Sequence, residues 1–185
     1  MKRKILSKLI EWKNKKNRKP LIVNGARQVG KTYILKEFGS HYYEKMAYVN
    51  CDKNKTLDKI FSQDYNISRI LLSLSAILHV NIEPENTLII FDEIQENPTV
   101  LNSLKYFCED ASQYHVAVAG SLLGISLHRD TSFPVGKVDM IKMYPMTFDE
   151  FLMAIDEQPL VDVLASKDFS IIDSLSVRLI DRLRQ

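Results

Sequence analysis

The chain has 185 residues, 45 % of them hydrophobic and 26 % charged, with a formal net charge of +2. This is enough for one domain with a sizeable core, and it excludes low-complexity and disulfide-scaffold classes. Charges interrupt the apolar residues Leu9, Ile10 and Trp12 behind the basic N-terminus, so no signal peptide or membrane span is expected; Cys51 and Cys108 lack CxxC spacing or a nearby His cluster and fit a reduced, cytoplasmic setting.

The charge is unevenly spread. Residues 1–20 hold nine Lys or Arg against the single acid Glu11, leaving 16 basic and 22 acidic residues for the rest. A leading basic segment reads either as a solvated helix face or as a contact for nucleic acid or another polyanion. Within residues 4–16, Ile5, Leu9 and Trp12 recur at helical spacing. After Pro20, the run Leu21-Ile22-Val23 is short and β-branched and stops at Asn24-Gly25, which predicts a buried strand. Residues from Thr32 to Phe38 return to helical character, with Gly39 as the expected stop. Met46 to Val49 is a second strand, residues 55–79 form helix in two pieces, and Leu88 to Phe91 is a third strand. Pro98 opens a helix over 98–112, His115 to Ala119 is a fourth strand, and Val138 to Tyr144 a fifth. Thr147-Phe-Asp-Glu150 matches a capping box, and 159–184 reads as helix to the end. Alternating strands and helices, without repeats or linkers, predict an α/β layered domain with a mainly parallel sheet.

Two segments carry chemistry. Gly25-Ala26-Arg27-Gln28-Val29-Gly30-Lys31-Thr32 has the spacing GxxxxGK[ST] between a predicted strand and a predicted helix. Glycines let the backbone wrap phosphates and aim successive N–H groups at them, and the helix N-terminus adds its positive dipole end. Lys31 then reaches the β- and γ-phosphates, and the Thr32 hydroxyl helps hold Mg2+. The second segment is the apolar strand ending in Asp92-Glu93. An acid at the C-terminal end of a parallel strand faces the ligand crevice. Asp92 is the candidate to position magnesium and Glu93 to orient and activate an attacking water. The adjacent acid pair points to the phosphate-loop division with an extra strand, for which His115 to Ala119 is the candidate. Ser121, just past it, reads either as a sensor of the γ-phosphate or as a cap for a helix around Leu122–Leu127. Gln95 is a further candidate for a polar contact near the water.

Together these residues resemble the AAA+ ATPases, and more narrowly an uncharacterised prokaryotic ATPase family whose full-length members carry a C-terminal domain of unknown function. The resemblance rests on Lys19–Thr32, Thr87–Gln95, Leu104–Glu109, Ala119–Gly124, and Phe133–Val138 through Tyr144–Leu152, nearly the whole chain. It implies a parallel five-stranded sheet in the order 5-1-4-3-2, ATP as the nucleotide with Mg2+, phosphate and metal binding by Lys31 and Thr32, metal support from Asp92, Glu93 as catalytic acid and Ser121 as sensor. It also implies a homo-oligomer, because hydrolysis in such proteins often needs a lid and a neighbouring subunit. Relatives often have Gly-Arg where this chain has Gly136-Lys137. Lys keeps the charge but lacks the bidentate fork, which weakens the case for a phosphate or partner contact there. Arg129 is another basic candidate, against a solvated loop arginine.

The expected organisation is a basic helix over 1–19, a nucleotide-binding core over 20–146, and over 147–185 a partial helical lid or the start of a C-terminal region. Nothing in 147–185 could form the C-terminal family domain, so the resemblance implies a shortened chain that binds ATP and turns it over poorly. The leading expectation is an ATPase that couples hydrolysis to a partner. The alternatives are a nucleic-acid-binding module with a secondary nucleotide site, motivated by the basic segment, and a small-molecule kinase, against which Asp92-Glu93 and the sensor strand argue.

Overall fold

A computed structural model describes residues 3–121 and 133–184. The chain forms two compact units, Ser7–Tyr144 and Met1–Leu6 with Pro145–Gln185.

The larger unit is built on five parallel strands, β1 (Leu21–Gly25), β2 (Lys45–Asn50), β3 (Thr87–Asp92), β4 (His115–Ser121) and β5 (Asp139–Met143), in the order β2-β3-β4-β1-β5. Read from the other edge, this is the expected order 5-1-4-3-2. The chain starts α1 (Ile5–Lys13) before the sheet and adds α2 (Lys31–Tyr42), α3 (Lys55–Gln63), α4 (Ile67–Leu78) and α5 (Pro98–Asp110) as crossovers. β1, β3 and all but the last residue of β4 are buried, as expected for parallel strands covered on both faces. One face carries Ile22, Ile89, Phe91, Val116 and Val118 against Phe61, Leu74, Leu104 and Phe107 of α3 to α5. The alternate residues of these strands point to the other face, where α2 packs along β1 to β4. Asn54, Asn66 and Asn97 cap the N-termini of α3, α4 and α5, each accepting the backbone N–H three residues on.

Two expectations about helix ends are corrected. Gly39 does not stop α2, which runs on to Tyr42. A Cβ at Gly39 would lie 2.8 Å from Met46 Sδ and 3.4 Å from Leu88 Cδ2. The glycine therefore lets the helix pack closely on β2 and β3, and tertiary packing overrides its weak helix propensity. The stretch 159–184 is also not one helix. After the helix that starts at the expected capping box, α6 (Phe148–Ala154), come α7 (Gln158–Ser166), α8 (Phe169–Ser174) and α9 (Ser176–Leu183). Lys167 takes a left-handed conformation after α7, and Asp168 caps α8 through Ser170 and Ile171 N–H.

In this smaller unit Leu152, Leu160 and Leu179 form the core, with Phe148 and Phe151 packed against it. The expected capping box is present: Glu150 accepts the Thr147 N–H at 3.0 Å. Burial alone would raise the Glu150 pKa, but backbone N–H bonds from Thr147 and Lys4, with the Arg3 charge, hold it below the usual carboxylate value. Glu157, at the start of α7, ties it to α9 by accepting from both Arg178 and Arg182.

Candidate functional site

The register of the sheet decides which side chains meet. Gly25 of β1 stands opposite Ser121 of β4 and Met143 of β5, and Asn50 of β2 stands opposite Asp92 of β3. All five strands therefore end along one edge, the position where open parallel sheets bind ligands.

The loop after β1 is shaped by its backbone. A Cβ on Gly25 would lie 2.3 Å from Met143 O, so only glycine allows the chain to leave β1 beside β5. Gln28 and Gly30 both adopt positive φ, 62° and 92°, curling the loop back into α2. Gly30 precedes α2 without a side-chain cap, so the first-turn N–H groups have no side chain competing for them. Twelve residues of helix behind them supply a favourable field for an anion. Lys31 Nζ donates to Ala26 O at 2.7 Å and Gly25 O at 3.2 Å, which holds the ammonium over the loop. Burial pushes its pKa below the ordinary lysine value, while the charges of Glu93 and Asp92 pull it back up.

A cleft of about 700 Å³ opens here, large enough for a nucleotide. The predicted residues Arg27, Gln28, Gly30, Lys31 and Thr32 line it on the loop side, and Glu93 and Ser121 line it on the strand side. Gly25, Ala26, Val29 and Asp92 do not form its wall. Gly25 and Asp92 are buried behind it.

Asp92 is 5 % exposed and already bonded on both oxygens. Its Oδ1 accepts the Glu93 N–H at 3.0 Å, and its Oδ2 accepts the Tyr48 hydroxyl at 3.0 Å. Burial, then the bond to Asp92, push the Tyr48 phenol up to about 12, which keeps it a donor. Lys36 Nζ lies 3.6 Å from the Tyr48 ring centroid, on its face. Glu93 sits in the left-handed region with φ 52° and begins a 3-10 turn, Ile94–Glu96. Its side chain reaches the cleft and its Oε2 accepts from Gln95 Nε2 at 2.5 Å. Gln95 is itself buried and accepts the Ser121 N–H on Oε1 at 3.1 Å.

Sequence reasoning did not select Tyr33, Tyr48, Asn50, Asp52 or Glu96. All but Tyr48 line the cleft. Asn50 ends β2 and was reachable by the same strand-end rule that selected Asp92. Tyr48 left no signal, because its meeting with Asp92 depends on the β2–β3 register.

The fit to a nucleotide with magnesium follows from this donor set. Uncapped N–H groups, an ammonium and an aromatic ring suit a polyphosphate and its base. No cluster of three or more His, Cys, Asp or Glu able to hold a metal occurs among the described residues. Magnesium suits such a place, since it keeps several waters and takes one or two protein oxygens plus substrate phosphates.

The remaining candidates lie elsewhere. Lys137 pairs with Glu109 at 2.8 Å. It precedes β5 at the edge where β1 begins, opposite the phosphate loop. Arg129 and the proposed helix Leu122–Leu127 lie outside the described residues. Much of the basic N-terminal segment is engaged within the fold. Lys13 donates to Tyr42 O, Arg18 to Lys13 O and Ser112 O, and Lys19 to Gly136 O, while Lys15 pairs with Asp139. No helix among the described residues is long and apolar enough to cross a membrane.

Comparison with curated protein sequences returned no significant match. A family model described as an AAA domain matches residues 17–152, which takes in every strand of the sheet and the whole cleft. That span and a parallel sheet with its phosphate loop at the strand ends agree with one another: the chain belongs to the AAA domain family and carries a nucleotide-binding, AAA-type ATPase domain.

Proposed function

We propose that this domain binds ATP with Mg2+ in the cleft, hydrolyses it, and couples turnover to a change in a partner macromolecule. One observation carries the reading: the uncapped start of α2, Lys31, Thr32, Glu93 and Ser121 border a single cleft, with Asp92 fixed directly behind. Loop N–H groups from Gly25 to Thr32 and the Lys31 ammonium bind the phosphates. Thr32 and Asp92 would hold magnesium, with the Asp92 carboxylate steadied by the Glu93 N–H and the Tyr48 hydroxyl. The ion would supply charge neutralisation on the phosphate oxygens. Glu93 accepts a proton from the water that attacks the γ-phosphorus as the bond to the ADP oxygen breaks. Ser121, at the end of β4, contacts the γ-phosphate.

On this reading residues 20–146 are the nucleotide-binding core, 1–19 a leading helix and 147–185 a helical region of lid type. The protein acts in the cytoplasm as an oligomer and belongs with the prokaryotic ATPases that carry a further C-terminal domain. Nucleic-acid contact through the first 20 residues has less support, since Lys13, Lys15, Arg18 and Lys19 are bonded within the fold.

The test uses two substitutions. Lys31→Ala removes charge-assisted hydrogen bonds worth about 1.5–3 kcal/mol each, so ATP affinity falls by roughly 100-fold or more. Glu93→Gln retains binding and abolishes phosphate release. Unchanged ATP affinity in Lys31→Ala, measured by calorimetry with and without Mg2+, would reject the site. Full turnover in Glu93→Gln would reject the role of Glu93.

A further inference from the structure

Gln95 is not part of the cleft wall, yet its amide joins two groups that are. Its Nε2 donates to Glu93 Oε2 at 2.5 Å and its Oε1 accepts the Ser121 N–H at 3.1 Å. Gln95 is buried, whereas Glu93 is exposed, so the bridge runs from a buried amide to a carboxylate at the surface. The two partners belong to different strands: Glu93 follows β3 and Ser121 ends β4. The bridge to Ser121 spans 26 residues of sequence, with Ile94 fully buried beside it.

We propose that Gln95 is a positioning residue that orients Glu93 and links its carboxylate to the end of β4, so that a displacement of Ser121 is felt at Glu93. This rests on the reading of Glu93 as the proton acceptor for water. The Nε2–H group holds the Glu93 carboxylate against the amide. It also selects one carboxylate rotamer, with Oε2 occupied and Oε1 left for a water. Finally, donor and acceptor belong to one planar amide, so the bond to Ser121 polarises and aims the bond to Glu93. A γ-phosphate that draws on Ser121 therefore changes the orientation of Glu93 without touching it.

The experiment compares Gln95→Met, which keeps the volume and removes both bonds, with Gln95→Glu, which replaces the donor by a second carboxylate. Both variants are first confirmed folded by circular dichroism. Gln95→Met is expected to lower kcat at least 10-fold while changing the Kd for Mg-ATP less than threefold. Gln95→Glu sets a second carboxylate against Glu93 in place of the donor and is expected to lower kcat at least as far as Gln95→Met. A readout independent of turnover is the side-chain amide resonance of Gln95 by NMR. It should shift in Glu93→Gln without nucleotide, and in the wild type when Mg2+ with a non-hydrolysable ATP analogue is added. A wild-type kcat in Gln95→Glu, or an amide resonance that ignores both Glu93→Gln and the analogue, overturns the proposal. Glu93→Gln separates the two readings: if it keeps full turnover the role of Glu93 fails, and if it is inactive while Gln95→Met is normal only the role of Gln95 fails.

Discussion

Replacing Tyr48 by Phe isolates one bond behind the cleft. The substitution deletes a hydroxyl and keeps the ring, so the packing of β2 on β3 and the stacking of Lys36 on the ring both persist. What is lost is the 3.0 Å bond to Asp92 Oδ2, one of two that hold a carboxylate which is 5 % exposed. Hydrogen bonds to charged groups contribute about 1.5–3 kcal/mol. Tyr48 is itself half-buried, so water can partly replace it and the low end, about 1.5 kcal/mol, is expected. For a unit of this size that is a fall in Tm of roughly 3–6 °C. With one anchor gone Asp92 is less fixed, and the magnesium dependence of ATP binding should move to higher concentration by a few-fold. Thermal denaturation and ATP titrations at several Mg2+ concentrations measure the two effects. A double-mutant cycle with Asp92→Asn assigns the loss to the pair, since residues that share a bond do not add. If Tyr48→Phe melts with wild-type protein and its Mg2+ dependence is unchanged, Tyr48 does not hold Asp92 and the account of the strand end is wrong.

Further outcomes follow from the same structure. Gly25→Ala should cost about 3 kcal/mol or more, because its Cβ meets the backbone oxygen of Met143 at 2.3 Å. Gly39→Ala should stay within about 1 kcal/mol of wild type, since its Cβ meets the flexible end of Met46 and a mid-helix alanine is favoured over glycine; a wild-type melting temperature in Gly25→Ala would contradict the first, and a loss in Gly39→Ala as large as that in Gly25→Ala the second. His115 is held neutral, with its pKa pushed down to about 3 by burial and then by the charges of Arg18 and Lys13. The unfolded chain titrates near 6.5, so between these values only the unfolded state takes up the proton. The stabilisation is complete above about pH 6.5 and declines toward pH 3, by at most about 1.4 kcal/mol per pH unit. Urea unfolding from pH 7.5 to 4.5 should show this slope, and His115→Phe, which keeps a ring against Trp12 and Tyr43, should flatten it; the same slope in both proteins would exclude His115 as its source.

Much of this protein is written locally. The strand run Leu21-Ile22-Val23, the glycine spacing before Lys31-Thr32, and the apolar run closed by Asp92-Glu93 are each contained within a dozen residues, so composition and periodicity reveal them. Strand order was available too, but through the family resemblance and not through spacing. Other features depend on partners far apart in the chain. Gly39 is a helix stop by local rules and a packing glycine in fact, because Met46 and Leu88 stand over it. The basic segment reads either as a solvated helix face or as a surface for polyanions, yet the fold turns Lys13, Arg18 and Lys19 onto backbone carbonyls. The tail reads as one helix until Lys167 turns left-handed and the short helices close on their own small core. Above all, the sequence by itself determined a loop shaped for phosphates and a strand ending in two acids. Only the tertiary structure decided what surrounds those acids: the β2–β3 register brings Tyr48 to Asp92, and the neighbouring β3 and β4 let Gln95 join Glu93 to Ser121. Backbone propensity is a property of neighbouring residues, whereas a bond between two strands exists only once the sheet has set their register.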